Sequence, residues 1–213
     1  KNWIFSQDRL NLDKKIKFLK THHQNCSINK KNIFTNENNT LGVIYIVRDP
    51  RDVVISYARH SFYTIKNTLL EMTDSNTCIF TNNNLLNLLG SWSDHYNSWK
   101  IINKNFLLIK YEDLIENKKK EIIKILGFIN NFTKISISEE KINNCINTTT
   151  FENMKNMEEK GFFEEQAIDE KTGKKINFFH KGKSNQWKDF LDTSTIKTIE
   201  ENFETEMKEL KYI

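Results

Sequence analysis

LGVIYIVRDPRDVVISYARHSF, residues 41–62, carries two structural periods in succession. Residues 41–49, LGVIYIVRD, form a continuous apolar run rich in β-branched side chains and end on Arg48 and Asp49. Such a run reads as a strand covered on both faces, as in a parallel sheet. Asp49 then suits a helix N-cap. Pro50 suits the first helical position, because its φ is preset and it has no N–H to leave unpaired. The helix is expected to run through Arg51 and Tyr57 to about Phe62. A guanidinium therefore stands where a buried strand meets a helix N-terminus.

Working outward, IKFLKTH (16–22) reads as an earlier short buried strand and NFLLIKYED (105–113) as a later one. The polar TDSNTCIFTNNN (73–84) reads as an insertion or lid. LLNLLGSWSDHYNSWKII (85–102) places Leu85, Leu89, Trp92, Tyr96 and Trp99 at alternating four and three spacings, an amphipathic helix. KKKEIIKILGF (118–128) is another, with Gly127 as its stop. Ile196, Ile199, Phe203, Met207 and Leu210 mark a last helix. Strands alternating with helices predict an α/β protein: a three-layer sandwich around a mostly parallel sheet, one domain over residues 1–213.

The bulk properties exclude several classes. A net charge of +4, with lysines mixed among glutamates, makes solvated helix faces and no clean basic face, so a nucleic-acid partner is not expected. No apolar run is long enough to span a membrane. The opening KNWIFSQDRL is not a signal peptide. Three dispersed cysteines, Cys26, Cys78 and Cys145, suit neither a disulfide framework nor a zinc site, so a reducing, cytoplasmic setting is expected.

Ligands of open parallel sheets bind beyond the carboxyl ends of the strands. Lys20, Thr21 and His22 follow the first expected strand, Arg48 the second and Tyr111 the third. Cations, a hydroxyl and an imidazole on one sheet edge suit an anionic ligand with acid–base chemistry beside it. Arg48 adds a forked donor to the partial positive charge of a helix N-terminus, with Ser56 four residues beyond Asp52. The competing reading is structural: Arg48 pairs with Asp52 or Glu112 and Asp49 merely caps. FFHKGKSNQWKDF (178–190) is a second basic element, in which Gly182 permits close backbone approach and Trp187 is an anchor. By itself it also reads as a solvated loop.

Taken in order, Lys-Thr-His at 20–22, the strand–Arg-Asp-Pro-Arg-Asp–helix with Ser56, YEDL at 111–114 and Lys-Gly-x-x-x-x-Trp-Lys at 181–188 resemble the sulfotransferase family, which uses 3′-phosphoadenosine-5′-phosphosulfate (PAPS). The resemblance runs from about Lys20 to the end of the chain. It implies a P-loop-NTPase-like fold, PAPS as co-substrate with no metal, and a small-molecule or carbohydrate acceptor. It implies His22, not His23, as catalytic base, and Lys20 as the group that stabilises the transferring sulfuryl. It implies that Arg48, Ser56, His180, Lys181 and Gly182 hold the 3′-phosphate. Tyr111, Thr149 and Phe151 would lie at the adenine.

Two departures from the family pattern stand out. His180 replaces the usual arginine, and Asn185-Gln186 replaces Gly-Asp. No Pro-Lys-Ser-Gly-Thr-Thr type loop for the 5′-phosphosulfate occurs in the sequence, so the resemblance implies the fold without its first strand–loop–helix unit. Another chain or a rearranged segment would fill the resulting sheet edge, which makes a homo-oligomer a possible assembly. Trp92, His95, Tyr96 and Trp99 are candidates for the acceptor wall, with core packing the alternative for the tryptophans. A P-loop kinase would need a Walker-type turn, which is absent. A non-catalytic nucleotide-binding or interaction module derived from the same fold is the alternative function.

Overall fold

The quoted apolar run forms a strand, and its partner is the later apolar run. Val43–Val47 and Phe106–Lys110 pair in parallel, with Val43 opposite Phe106 and Val47 opposite Lys110. The computed structural model describes residues 3–28, 31–80, 86–101, 105–163, 167, 168, 173, 175–179 and 182–213. In chain order the elements are α1 (Trp3–Leu10), a 3-10 turn (Asn11–Asp13), β1 (Ser27–Ile28), β2 (Lys31–Asn32), β3 (Val43–Val47), α2 (Pro50–Ser61), α3 (Ile65–Thr73), β4 (Cys78–Phe80) and β5 (Leu86–Leu88). There follow α4 (Trp92–Lys100), β6 (Phe106–Lys110), α5 (Tyr111–Glu116), α6 (Lys118–Asn130), α7 (Glu139–Thr148) and α8 (Phe151–Glu159). The chain closes with β7 (Ala167–Ile168), β8 (Lys175–Ile176), α9 (Trp187–Phe190), α10 (Thr193–Asn202) and α11 (Glu204–Glu209). The architecture is α/β. The parallel β3–β6 pair carries α4 against β3 and α6 against β6, and the other strands form small antiparallel pairs.

The start of α2 follows the sequence closely. The Asp49 side chain accepts from the Arg51 backbone N–H at 2.9 Å, and Pro50 is the first helical residue. Arg51 then folds back over its own cap. Its guanidinium donates to Asp49 at 2.6 Å and to the Tyr212 carbonyl at 3.0 Å, and it pairs with Glu200. The buried guanidinium thus ties the strand–helix junction to the last helices. Beneath it, Val54, Met72, Ile199, Phe203 and Met207 form one core cluster. Val47, Tyr96 and Leu210 form a second. Each such side chain, taken out of water, stabilises the fold by about 1.5–3 kcal/mol.

Several expected elements differ. The strand expected over 16–22 is absent: residues 14–26 have no regular structure, and Phe18 is 68% exposed. A strand needs a neighbour for its N–H and C=O groups, and among the described residues β3 pairs only with β6. Nor is β3 covered on both faces, since Ile46 is 58% exposed. The helix expected over 85–102 begins only at Trp92. Leu86–Leu88 is a strand, Gly90 turns the chain at φ +64°, and Ser91 with Asp94 makes a capping box; Leu85 lies outside the described residues. Gly127 does not stop α6, which continues to Asn130. The last helix is two, divided at Phe203. The stretch at 73–84 begins on the last residue of α3 and contains β4, with 81–85 outside the described residues. Among the described residues no helix is long and apolar enough to cross a membrane.

Candidate functional site

Because β3 and β6 run parallel, Arg48 and Tyr111 leave the sheet side by side. The Arg48 guanidinium lies over the Tyr111 ring, 4.5 Å from its centroid. Burial pushes the Tyr111 phenol up, while the Arg48 charge pulls it down. Arg48 Nη2 donates to the Lys183 carbonyl at 3.1 Å and stands 3.5 Å from Asp52 Oδ2. The structural reading of Arg48 is therefore partly correct, since Asp52 is its carboxylate neighbour. Glu112 instead accepts from the Asp49 backbone N–H at 3.0 Å. Yet Arg48 Nε is buried and, among the described residues, has no hydrogen-bond partner.

The late basic loop closes over this junction. Asp52 is 1% exposed at the third position of α2, where the helix N-terminus favours a carboxylate. Its two oxygens accept from Asn185 N at 2.8 Å and Trp187 N at 3.0 Å. The Trp187 ring receives the Arg51 guanidinium at 3.9 Å. Asn185, standing where the family pattern has glycine, adopts φ +61°. Asparagine is among the few non-glycine residues that enter the left-handed region readily. Gly182 has φ +61° as well, and a Cβ on it would stand 2.2 Å from Phe151 Cδ2. The Tyr111 hydroxyl donates to the Gly182 carbonyl at 3.4 Å. Arg48, Tyr111, Phe151 and Gly182 are thus gathered at one place.

For two other expected residues the hydroxyl bonds are local. Ser56 is exposed, and its hydroxyl donates to Val53 O one turn back in α2. The Thr149 hydroxyl donates to Cys145 O, and its own carbonyl accepts from Lys118 Nζ. His180 and Lys181 lie outside the described residues.

The segment bearing Lys20 and His22 is exposed as far as His22 and then clamped onto α4. His95 Nε2 lies 3.2 Å from the His22 carbonyl. Trp99 Nε1 donates to the His23 carbonyl at 3.1 Å, and Ser98 Oγ accepts from Asn25 N at 3.0 Å. His23 is buried, with its ring stacked on Phe34 at 4.7 Å, and burial pulls its imidazole down. His22 instead lines a cavity of about 260 Å³, together with Arg48, Tyr45, Glu71, Trp92 and His95. Two of the candidate acceptor-wall residues, Trp92 and His95, face this cavity, whereas Tyr96 and Trp99 are core. His22 and Arg48 thus line one cavity. Among the described residues no cluster of His, Cys, Asp or Glu is arranged to hold a metal ion.

Sequence reasoning did not assign Asp52 its hold on the late loop. An acidic residue in the first turn reads as a complement to the helix dipole. Nothing local signals that its oxygens are taken by amides more than 130 residues later.

A family model described as Sulfotransferase domain matches residues 5–211. An amine sulfotransferase of Oryctolagus cuniculus is 29% identical over 187 residues, which cover 83% of this chain and 58% of that protein. Sulfotransferase 1E1 of Bos taurus is 30% identical over 172 residues, or 78% of this chain and 55% of that protein. The chain thus spans little more than half the length of these curated relatives. Among solved structures, mouse sulfotransferase SULT7A1 complexed with PAP matches with a TM-score of 0.55 at 22% identity, covering 78% of this chain and 58% of its own; the likeness there is one of fold. Retinol dehydratase in a complex with retinol and PAP matches with a TM-score of 0.55 at 25% identity, covering 78% and 48%.

Proposed function

The chain belongs to the sulfotransferase domain family, and from that premise we propose that it transfers a sulfuryl group from PAPS to a hydroxyl or amine of a small-molecule or carbohydrate acceptor. The observation that carries the reading is the cavity shared by His22 and Arg48 at the carboxyl end of a parallel strand pair, with Arg48 Nε buried and, among the described residues, unpartnered. A forked cation beside a glycine-bearing loop is the arrangement that a nucleotide phosphate calls for. The names of the relatives point the same way, since one is an amine sulfotransferase and one resembled structure holds retinol.

In this reading Arg48 and the Gly182 loop, with Lys181, orient the 3′-phosphate, and Tyr111 and Phe151 flank the adenine. His22 accepts the proton of the acceptor O–H or N–H as that atom attacks sulfur. The acceptor–sulfur bond forms while the bond from sulfur to the 5′-phosphate oxygen breaks, and adenosine 3′,5′-bisphosphate leaves. Lys20 offsets negative charge that builds on the sulfuryl and bridging oxygens. We place the chemistry in a reducing, cytoplasmic setting, because Cys26, Cys78 and Cys145 are all free thiols.

The test is calorimetric titration of the chain with adenosine 3′,5′-bisphosphate, with 5′-AMP as control. Binding should depend on the 3′-phosphate. Arg48→Ala should weaken it by about 10- to 100-fold, the equivalent of one charge-assisted contact. Equal affinity for the two nucleotides, or an unaltered Arg48→Ala, would sink the assignment.

A further inference from the structure

The base-bearing segment has no secondary structure of its own, so something else must fix where His22 stands. One face of α4 does so. His95, Ser98 and Trp99, spaced three and four residues apart, each meet the backbone between His22 and Asn25. Of these, His95 alone has a second polar partner on the central strand: its Nδ1 is 2.8 Å from the Tyr45 hydroxyl. Tyr45 lies on β3, three residues before Arg48.

The partners settle the protons. The His22 carbonyl can only accept, so His95 Nε2 carries hydrogen and donates. In the neutral ring Nδ1 is then bare, and it accepts from the Tyr45 O–H. The neutral tautomer with hydrogen on Nε2 satisfies both ring nitrogens with these two partners.

We propose that His95, oriented by Tyr45, is a positioning residue that fixes the backbone at His22 and thereby the reach of the His22 imidazole into the cavity. The chain Tyr45–His95–His22 registers the base against the same strand that delivers Arg48. It therefore holds the distance between the two ends of the reacting system. The environment keeps the ring in this state. Burial pulls the His95 pKa down to about 4, and nearby positive charge on His22 and His23 adds to that, against the bond to the His22 carbonyl. Burial likewise keeps the Tyr45 phenol protonated and able to donate. The role rests on the reading of His22 as the base.

The test uses side-chain chemistry that separates the two ring nitrogens. His95→Asn keeps an oxygen near the Nδ1 position for Tyr45 but loses the donor to His22. His95→Gln reaches the Nε2 position and restores that donor. In ¹⁵N-labelled chain, long-range ¹H–¹⁵N spectra should show His95 neutral with hydrogen on Nε2 from pH 7 to about pH 5, in line with the depressed pKa. Hydrogen on Nδ1, or protonation near the ordinary midpoint of about 6.5, would overturn the proposal. The same spectra should show the His22 titration displaced in His95→Asn and returned in His95→Gln. An unmoved His22 titration also overturns it, with no need for turnover. Where turnover is measured, His95→Asn should lower kcat by about 100-fold, the scale of a misplaced catalytic group. The KM for PAPS should stay put, and His95→Gln should recover most of the rate. Wild-type kcat in His95→Asn refutes the positioning role alone. If His22→Ala turns over normally, or the bisphosphate fails to bind, the sulfotransferase reading fails instead, and the tautomer result still stands by itself.

Discussion

Asp52→Asn should release the late loop from the strand–helix junction while leaving the core intact. The Asp52 carboxylate is 1% exposed and accepts two backbone N–H bonds, from Asn185 at 2.8 Å and Trp187 at 3.0 Å, with Arg48 3.5 Å away. An amide has one accepting oxygen. Whichever way the substituted side chain turned, one loop N–H would face an NH2 group, and Arg48 would lose its counter-charge. A bond to a charged acceptor contributes roughly 1.5–3 kcal/mol, and a buried donor left unmatched adds to the loss. The loop should therefore open more easily by about 3 kcal/mol, which is on the order of 100-fold in the open population. Native-state hydrogen exchange reads this directly, because local opening governs exchange of the Asn185 and Trp187 amides. Both should exchange on the order of 100-fold faster, whereas the amides of α10 beside the core should not change. Bisphosphate affinity should fall in step. Unchanged protection at Asn185 and Trp187 would refute the reasoning, because it would mean that the loop is held by Trp187 packing on Arg51 and not by the carboxylate.

Gly182→Ala should weaken bisphosphate binding, because the residue has φ +61° and the new methyl would stand 2.2 Å from the Phe151 ring; left-handed strain and the displaced ring together cost about 1–3 kcal/mol, and calorimetry showing the parent affinity would contradict it. Stability should decline on acidification between pH 6.5 and about 4, the ordinary and the folded values for His95. The sign follows from protonation: in that window the unfolded chain binds the proton that folded His95 refuses, so falling pH favours unfolding, by about 3 kcal/mol in all. Urea unfolding at pH 7 and pH 4.5 measures the loss, and His95→Gln should remove most of that difference.

The local geometry around Arg48 was legible because short-range rules decide it. A β-branched run, an Asp cap and a proline at the first helical position fix strand, turn and helix within a few residues, and both strands of the parallel pair fall where their apolar runs lie. The YEDL position was equally readable, since a strand ending at Lys110 puts Tyr111 on the same edge as Arg48. The failures have the opposite character. IKFLKTH has the composition of a strand, but pairing depends on a neighbour, and none is described on that side of β3. The helical spacing through Leu86–Leu88 was real but lost to hairpin pairing with Cys78–Phe80. Gly127 reads as a stop, but a single glycine only weakens a helix that tertiary contacts carry onward.

Sequence alone determined the α/β class, the family, and the residue types at the strand ends, because hydrophobic period, capping and motif order are properties of neighbours along the chain. Only the tertiary structure decided what those residues do to one another. It gave Asp52 to two amides of a distant loop, put Arg51 under Trp187, and left Arg48 Nε buried and, among the described residues, unpartnered. It also set His95 between Tyr45 and His22. Those choices depend on which polar groups must find partners once water is excluded, and that is settled by segments far apart in the chain meeting in the folded protein.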